Sequence, residues 1–289
     1  MILYDLRIAS ILVISFAYML FDLFNKRNVP DLFVYATTAY AIALTIIYFN
    51  YTTIAVSLLI AAVIFGAGYL LYKYGQLGAA DVFELAAISL MLPYQPSVIL
   101  NFPQYNFPFI FSILINAGIM ALVIMPIYYL PKYSSRFGSI LKAKTSKSDI
   151  FKASMFLIVY VLFYGFLVLH FGFHIITLAI ILVLAVFSFL LLMFEKQIMR
   201  AMIRDVNISD LEEGDMIATN LMSDEDLDRL SKLKSFGRLV TGKSISELKE
   251  SGFNEKLPVY KDAFPFALPI FLGVAIALLA GNLILALLA

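Results

Sequence analysis

The stretch Ile175–Phe194 reads IITLAIILVLAVFSFLLLMF, twenty consecutive residues without a charged side chain. A hydrocarbon core of about 30 Å is crossed by about 20 residues of helix, so this segment alone is long enough to span a bilayer. Working outward, the same kind of run recurs. Upstream lie Ile2–Phe24, Leu32–Phe49, Thr52–Tyr72, Phe109–Leu130 and Ala153–Leu169, and downstream Phe266–Leu288. One further run starts at Asp81 and stays free of proline until Pro93. Its length as a helix is only about 18 Å. It needs a kink through Pro93, or cover from a thinned bilayer or from neighbouring helices.

Composition agrees with these runs. The chain of 289 residues is 62% hydrophobic and 14% charged, with a mean hydropathy of +0.91. Soluble domains sit near half apolar and a quarter charged. The expected fold is therefore all-α, a polytopic membrane protein of about eight transmembrane helices. Residues 1–195 form its membrane domain, 196–263 a small cytoplasmic soluble segment, and 264–289 the final helix. No A-x-A-like junction follows the first run, so no cleaved leader is expected there. Cysteine is absent, which removes disulfides, thiol nucleophiles and Cys-ligated metals. A net charge of +1 offers no reason to expect a nucleic-acid partner.

Charge placement sets the orientation. With residues 25–31 in the cytoplasm, segments 73–80, 131–152 and 196–263 fall on the same side. That side holds 20 of the 21 Lys and Arg, all but Arg7, while the loop Pro93–Pro108 on the other side has none. The positive-inside rule then puts both termini outside. The loop Pro131–Ile150, with Lys132, Arg136, Lys142, Lys144 and Lys147, would suit anionic lipid headgroups. In the soluble segment, Ser223-Asp224-Glu225-Asp226 followed by Leu227, Leu230 and Leu233 reads as a capped helix ending near Gly237. Ser244 or Ser246 reads as the cap of a second, ending near Gly252. The segment is too short for a large core of its own.

Two patterns are misleading. Gly237–Ser244 matches a P-loop literally, but a charged helical stretch precedes it and only a short helix follows, so no nucleotide site is expected. His170 and His174 have i, i+4 spacing, yet Gly172 interrupts them and no carboxylate is near in sequence. An interfacial pair is expected rather than a metal centre, and no metal or cofactor is assigned.

The informative residues are acids lying in or against the apolar runs. Thirteen of the 20 Asp and Glu belong to the soluble segment, which leaves Asp22, Asp81 and Glu84 at the membrane edge, with Asp5, Asp31, Asp149 and Glu195 flanking. Ionisable groups at membrane depth are costly and tend to face the bundle interior. Asp22 near the end of the first helix and Asp81 at the start of the fourth lie level at the cytoplasmic boundary. Two such carboxyl groups can share acid and base roles in peptide hydrolysis. Each also has an ordinary reading. Asp22 could be a solvated interfacial acid, and Asp81 a helix N-cap with Glu84 as its capping-box partner.

Around the first acid the chain reads Phe21-Asp22-Leu23-Phe24-Asn25-Lys26-Arg27-Asn28-Val29-Pro30-Asp31, and around the second Gly78-Ala79-Ala80-Asp81-Val82-Phe83-Glu84. This resembles the prepilin and preflagellin peptidases, GxGD-type membrane aspartyl proteases. Asp22, Arg27, Val29, Pro30 and Asp31 match their first motif, and Gly78 with Asp81 the second. Ala80 stands where a strict GxGD has Gly, Phe83 where bacterial members favour a basic residue, and the zinc-loop cysteines are missing. These departures, with the run Phe264–Gly273 opening the last helix, point to the archaeal branch.

The resemblance implies a metal-independent endopeptidase of the cell membrane with Asp22 and Asp81 catalytic and Arg27, Pro30 and Gly78 supporting. Its substrates would be membrane-embedded precursors with a short basic leader, cut at the cytoplasmic edge. Asp224, Glu225, Asp226 and Asp228 would attract that leader. Gly75 and Gly78 would let the chain turn before the fourth helix, with exposed N–H groups favouring an anionic Asp81. Glu84 is kept to capping. Two alternatives stand beside this. A presenilin-like intramembrane protease shares an Asp pair and an Ala-Leu-Pro element such as Ala267-Leu268-Pro269. A proton-coupled transporter could use the same acids as relays, though its acids would more often lie at the midplane.

Overall fold

The computed structural model describes residues 2–25, 28–48, 50–74, 77–97, 108–138, 146–231, 237, 239–251 and 256–285. The chain divides into two compact units. The first comprises Met1–Ile127, Lys144–Phe194 and Pro265–Ala289, and the second Tyr128–Ala143 and Glu195–Phe264. Among the described residues the fold is all-α apart from one small two-stranded sheet.

Each apolar run becomes a helix. In the first unit these are α1 (Ile2–Phe24), α2 (Asp31–Tyr48), α3 (Tyr51–Lys73), α4 (Ala79–Met91) and α5 (Phe109–Phe137, shared with the second unit). They are followed by α6 (Lys147–Phe171) and α7 (Ile175–Met193). Five described helices, α1, α3, α5, α6 and α7, are long and apolar enough to cross a bilayer, which makes this a membrane protein. The others among the eight expected spans are shorter. The helix beginning at Ala267 ends at Leu279 rather than Leu288, because Gly281 turns the chain at a φ of 76° and Asn282 follows. At 13 residues it is about 20 Å long.

α4 is equally short and does not kink through Pro93; it stops at Met91. Its neighbours cover it instead. It packs on α2 and α3 and, less extensively, on α1, and its residues from Glu84 to Met91 are all buried. Gly68 of α3 lets Val82 approach, since a Cβ there would lie 2.7 Å from Val82 Cγ1. Thr45 of α2 donates to the Leu90 carbonyl at 2.9 Å. α6 and α7 form a hairpin. Thr177, Ile181, Leu184 and Ser188 are the buried stripe of α7, and the Tyr160 and Ser188 hydroxyls bond at 3.0 Å. His170, in the last turn of α6, and His174, the N-cap of α7, each bond a backbone carbonyl, those of Phe166 and Phe171.

The last helix of the first unit crosses α5 so closely that Gly273 has no room for a side chain. A Cβ would lie 2.7 Å from the Ile113 carbonyl and 2.8 Å from the Ala117 nitrogen, both backbone atoms. Gly273→Ala should therefore destabilise the bundle by about 2 kcal/mol, visible as a lower melting temperature in detergent. An unchanged melting temperature would refute the close crossing.

The second unit begins with the end of α5, which runs past Pro131 to Phe137, beyond the expected stop at Leu130. It continues with α8 (Glu195–Met202), β1 (Arg204–Val206), α9 (Asp224–Ser231), α10 (Gly242–Glu250) and β2 (Leu257–Val259). The strands pair antiparallel, with Arg204 opposite Val259 and Val206 opposite Leu257. A small core of Ile208, Leu211, Ile217, Leu230, Val240, Leu248, Leu257 and Val259 holds them together.

Ser223 caps α9, accepting from the Asp226 N–H at 3.2 Å and donating to its carboxylate at 2.6 Å. The second cap differs from expectation. Thr241, not Ser244 or Ser246, is the N-cap of α10, and Ser244 is its reciprocal partner. The P-loop-like run thus ends inside the first turn of a helix of nine residues. Lys132 and Arg136, expected among lipid headgroups, instead bind Asp262 at 3.1 and 2.8 Å, and Arg204 joins them at 2.7 Å. After the second unit the chain forms α11 (Ala267–Leu279), the short last helix of the first unit.

Candidate active site

Asp22 lies in the last turn of α1 and is partly buried. Its Oδ2 accepts the backbone N–H of Ala267, the first residue of α11, at 3.1 Å. The first N–H groups of a helix have no partner within it. Phe266, the N-cap of α11, makes no side-chain cap bond, so the carboxylate of Asp22 meets that need from another helix. The positive end of the α11 dipole favours the negative charge in turn. Pro269 suits the first turn because it brings no further N–H to satisfy. The stretch Ala267-Leu268-Pro269 is thereby given a concrete task, to present one backbone donor to Asp22.

Asp81 occupies the third position of α4. Its Oδ2 accepts the N–H of Gly78, the N-cap residue, at 3.1 Å. The role of Gly78 differs from the one expected. Its φ of −73° and ψ of 148° are open to any residue, so conformational freedom is not what the position requires. A Cβ at Gly78 would lie 2.8 Å from the Asp81 Oδ2, and it is the missing side chain that gives the carboxylate room. Gly75 lies outside the described residues. Ala80 sits within the first turn of α4, where helical backbone suits alanine, so departure from a strict glycine costs nothing here. Phe83 fills the position where a basic residue is favoured in bacterial peptidases. It packs edge-on against Tyr35 and Phe65, with ring centroids 6.4 and 5.2 Å away.

Glu84 does not act in capping, since Asp81 itself bonds the Gly78 N–H. It is fully buried, and its Oε1 accepts a hydrogen bond from Ser15 Oγ of α1 at 2.7 Å. The carboxyl groups of Asp22, Asp81 and Glu84 act on one another through space: Asp22 on Asp81, and both on Glu84. Tyr18, also fully buried, bonds Thr37 of α2 at 3.0 Å and ties α1 to that helix.

Of the supporting residues, Pro30 is exposed and heads α2, its carbonyl accepting from the N–H groups of Phe33 and Val34 at 2.9 and 3.1 Å. It shapes the α1–α2 turn. Arg27 lies outside the described residues. Ser15 and the Ala267 N–H join the site in addition to the residues expected from sequence. Ser15 stands seven residues before Asp22, two helical turns, and that spacing was the available signal. The Ala267 N–H is a backbone group with no signal of its own.

Two carboxyl groups from different helices thus each accept a backbone N–H at a helix start. Compared with protein-family models, curated proteins and solved structures, the chain matches none.

Proposed function

We propose that the chain is a membrane aspartyl endopeptidase of the prepilin and preflagellin peptidase type. It would remove short basic leaders from precursors whose hydrophobic helix lies in the bilayer. The observation that carries this reading is the placement of Asp22 and Asp81. They come from separate helices, and the carboxylate of each accepts a backbone N–H at the start of a helix.

In the proposed reaction one carboxylate accepts a proton from water. The water oxygen bonds to the scissile carbonyl carbon while the other, protonated carboxyl gives its proton to the carbonyl oxygen. Collapse of the tetrahedral species breaks the C–N bond, and a proton passes to the leaving amine. The pair ends ready to redistribute its proton. With the basic loops in the cytoplasm, the aspartates lie at the inner membrane edge, where a substrate helix would leave the lipid.

The test is incubation of the purified full chain with a pilin-like precursor, followed by mass analysis of the product termini. Release of the intact leader supports the reading, and an uncut precursor sinks it. Cleavage should persist in excess EDTA, because carboxyl groups supply both proton steps; loss of activity that zinc restores would overturn the metal-free mechanism. The presenilin-like alternative draws on one observation, the docking of Ala267 at Asp22. It would show itself as a cut within the substrate helix rather than at the leader junction.

A further inference from the structure

We propose that Ser15 and Glu84 form a positioning pair that fixes the axial register of α1 against α4, and with it the spacing of the two aspartates. The inference rests on the aspartyl-protease reading for its consequence, though not for its geometry. Ser15 and Glu84 are both fully buried and bonded at 2.7 Å across the helix pair. Ser15 precedes Asp22 by seven residues and Glu84 follows Asp81 by three, so each lies on the face of its helix that carries the aspartate.

The rest of the α1–α4 interface makes this bond matter. α4 meets α2 and α3 extensively and α1 only lightly. Apolar contact is non-directional and tolerates sliding along the helix axis. A short hydrogen bond between two buried groups does not. Glu84 is also an expensive way to fill the position. Its Oε2 is buried and makes no hydrogen bond among the described residues, a cost that apolar packing would have avoided. The polar groups acting on Glu84 are Ser15, Tyr18 and Asp22 from α1, and Asp81 from its own helix. It is surrounded by the site it is proposed to align.

The chain has no cysteine, so paired spin labels can be placed cleanly. Phe24, at the end of α1, is 80% exposed, and Tyr94, beyond the far end of α4, is 52% exposed. A distance between labels at Phe24→Cys and Tyr94→Cys reads axial sliding almost directly. Ser15→Ala and Glu84→Ala should each shift or broaden it, while Glu84→Gln, which keeps an acceptor at the same reach, should leave it narrow. In cleavage assays the two alanine variants should lose about 10-fold to 100-fold in kcat with little change in KM, and glutamine should stay within about threefold of the parent.

Alanine variants with the parental distance and kcat would overturn the proposal. So would a glutamine variant as defective as alanine, since the carboxyl would then be acting by its charge. If the unmodified chain cleaves no precursor, the protease reading fails, and the label distances still decide whether the pair sets the register.

Discussion

Asp22→Asn and Asp81→Asn are each expected to lower precursor cleavage by at least about a thousandfold, the contribution of a positioned general acid or base. Asparagine keeps an oxygen acceptor for the Ala267 and Gly78 N–H groups, so both helix starts stay satisfied and the fold should survive. What it removes is the capacity to carry the reaction's proton. The double variant should be little worse than either single one, because acid and base act as a unit. Single-turnover assays with excess enzyme would measure this without interference from product release. Full activity in either variant would end the assignment.

The second large effect concerns the second unit. Asp262→Ala should destabilise the second unit by about 3 kcal/mol. Its carboxylate gathers Lys132, Arg136 and Arg204, and its backbone carbonyl accepts from the Tyr129 hydroxyl at 2.8 Å. Alanine would leave three cations without their shared partner. The figure sits at the low end for a buried pair because the Arg204 side chain is 57% exposed and recovers water. Limited proteolysis within residues 195–264 would register the loss.

The same cluster gives that unit a pH dependence. Burial opposes charge on Asp262, but the hydrogen bonds from Arg204, Arg136 and Lys132 outweigh it and hold the carboxyl well below the usual carboxylate range. A group with a depressed folded pKa adds stability above its unfolded value, near pH 4, and loses that contribution as pH falls further. Protease resistance should thus decline in acid, and the Asp262→Ala protein should show a flatter decline. Equal slopes would argue against the cluster.

The helices were legible because hydropathy over about 20 residues is a strong signal, and Ile175–Phe194 alone carries it. Their ends were less so. The apolar pattern continues to Leu288, but Gly281-Asn282 is a helix-stop pair and could have marked the earlier end. Asp22 and Asp81 stood out as rare acids at the edges of apolar runs. Glu84 differs from expectation for a physical reason: three residues after Asp81, the cap the sequence suggests, a carboxylate suits a capping box, and only packing shows that it faces Ser15 on another helix. Asp262 was invisible for a different one. Its partners lie 58 and 126 residues away in Arg204 and Arg136, and no local pattern encodes a distant pairing.

The bond between Asp22 and Ala267 joins groups 245 residues apart, almost the whole length of the chain. During synthesis both aspartates emerge well before Ala267 in α11, the helix that supplies the donor orienting one of them. A chain interrupted before Ala267 would hold both acids and still lack a finished site. On the proposed reading, such an interrupted product would carry both acids with Asp22 still lacking its partner on α11.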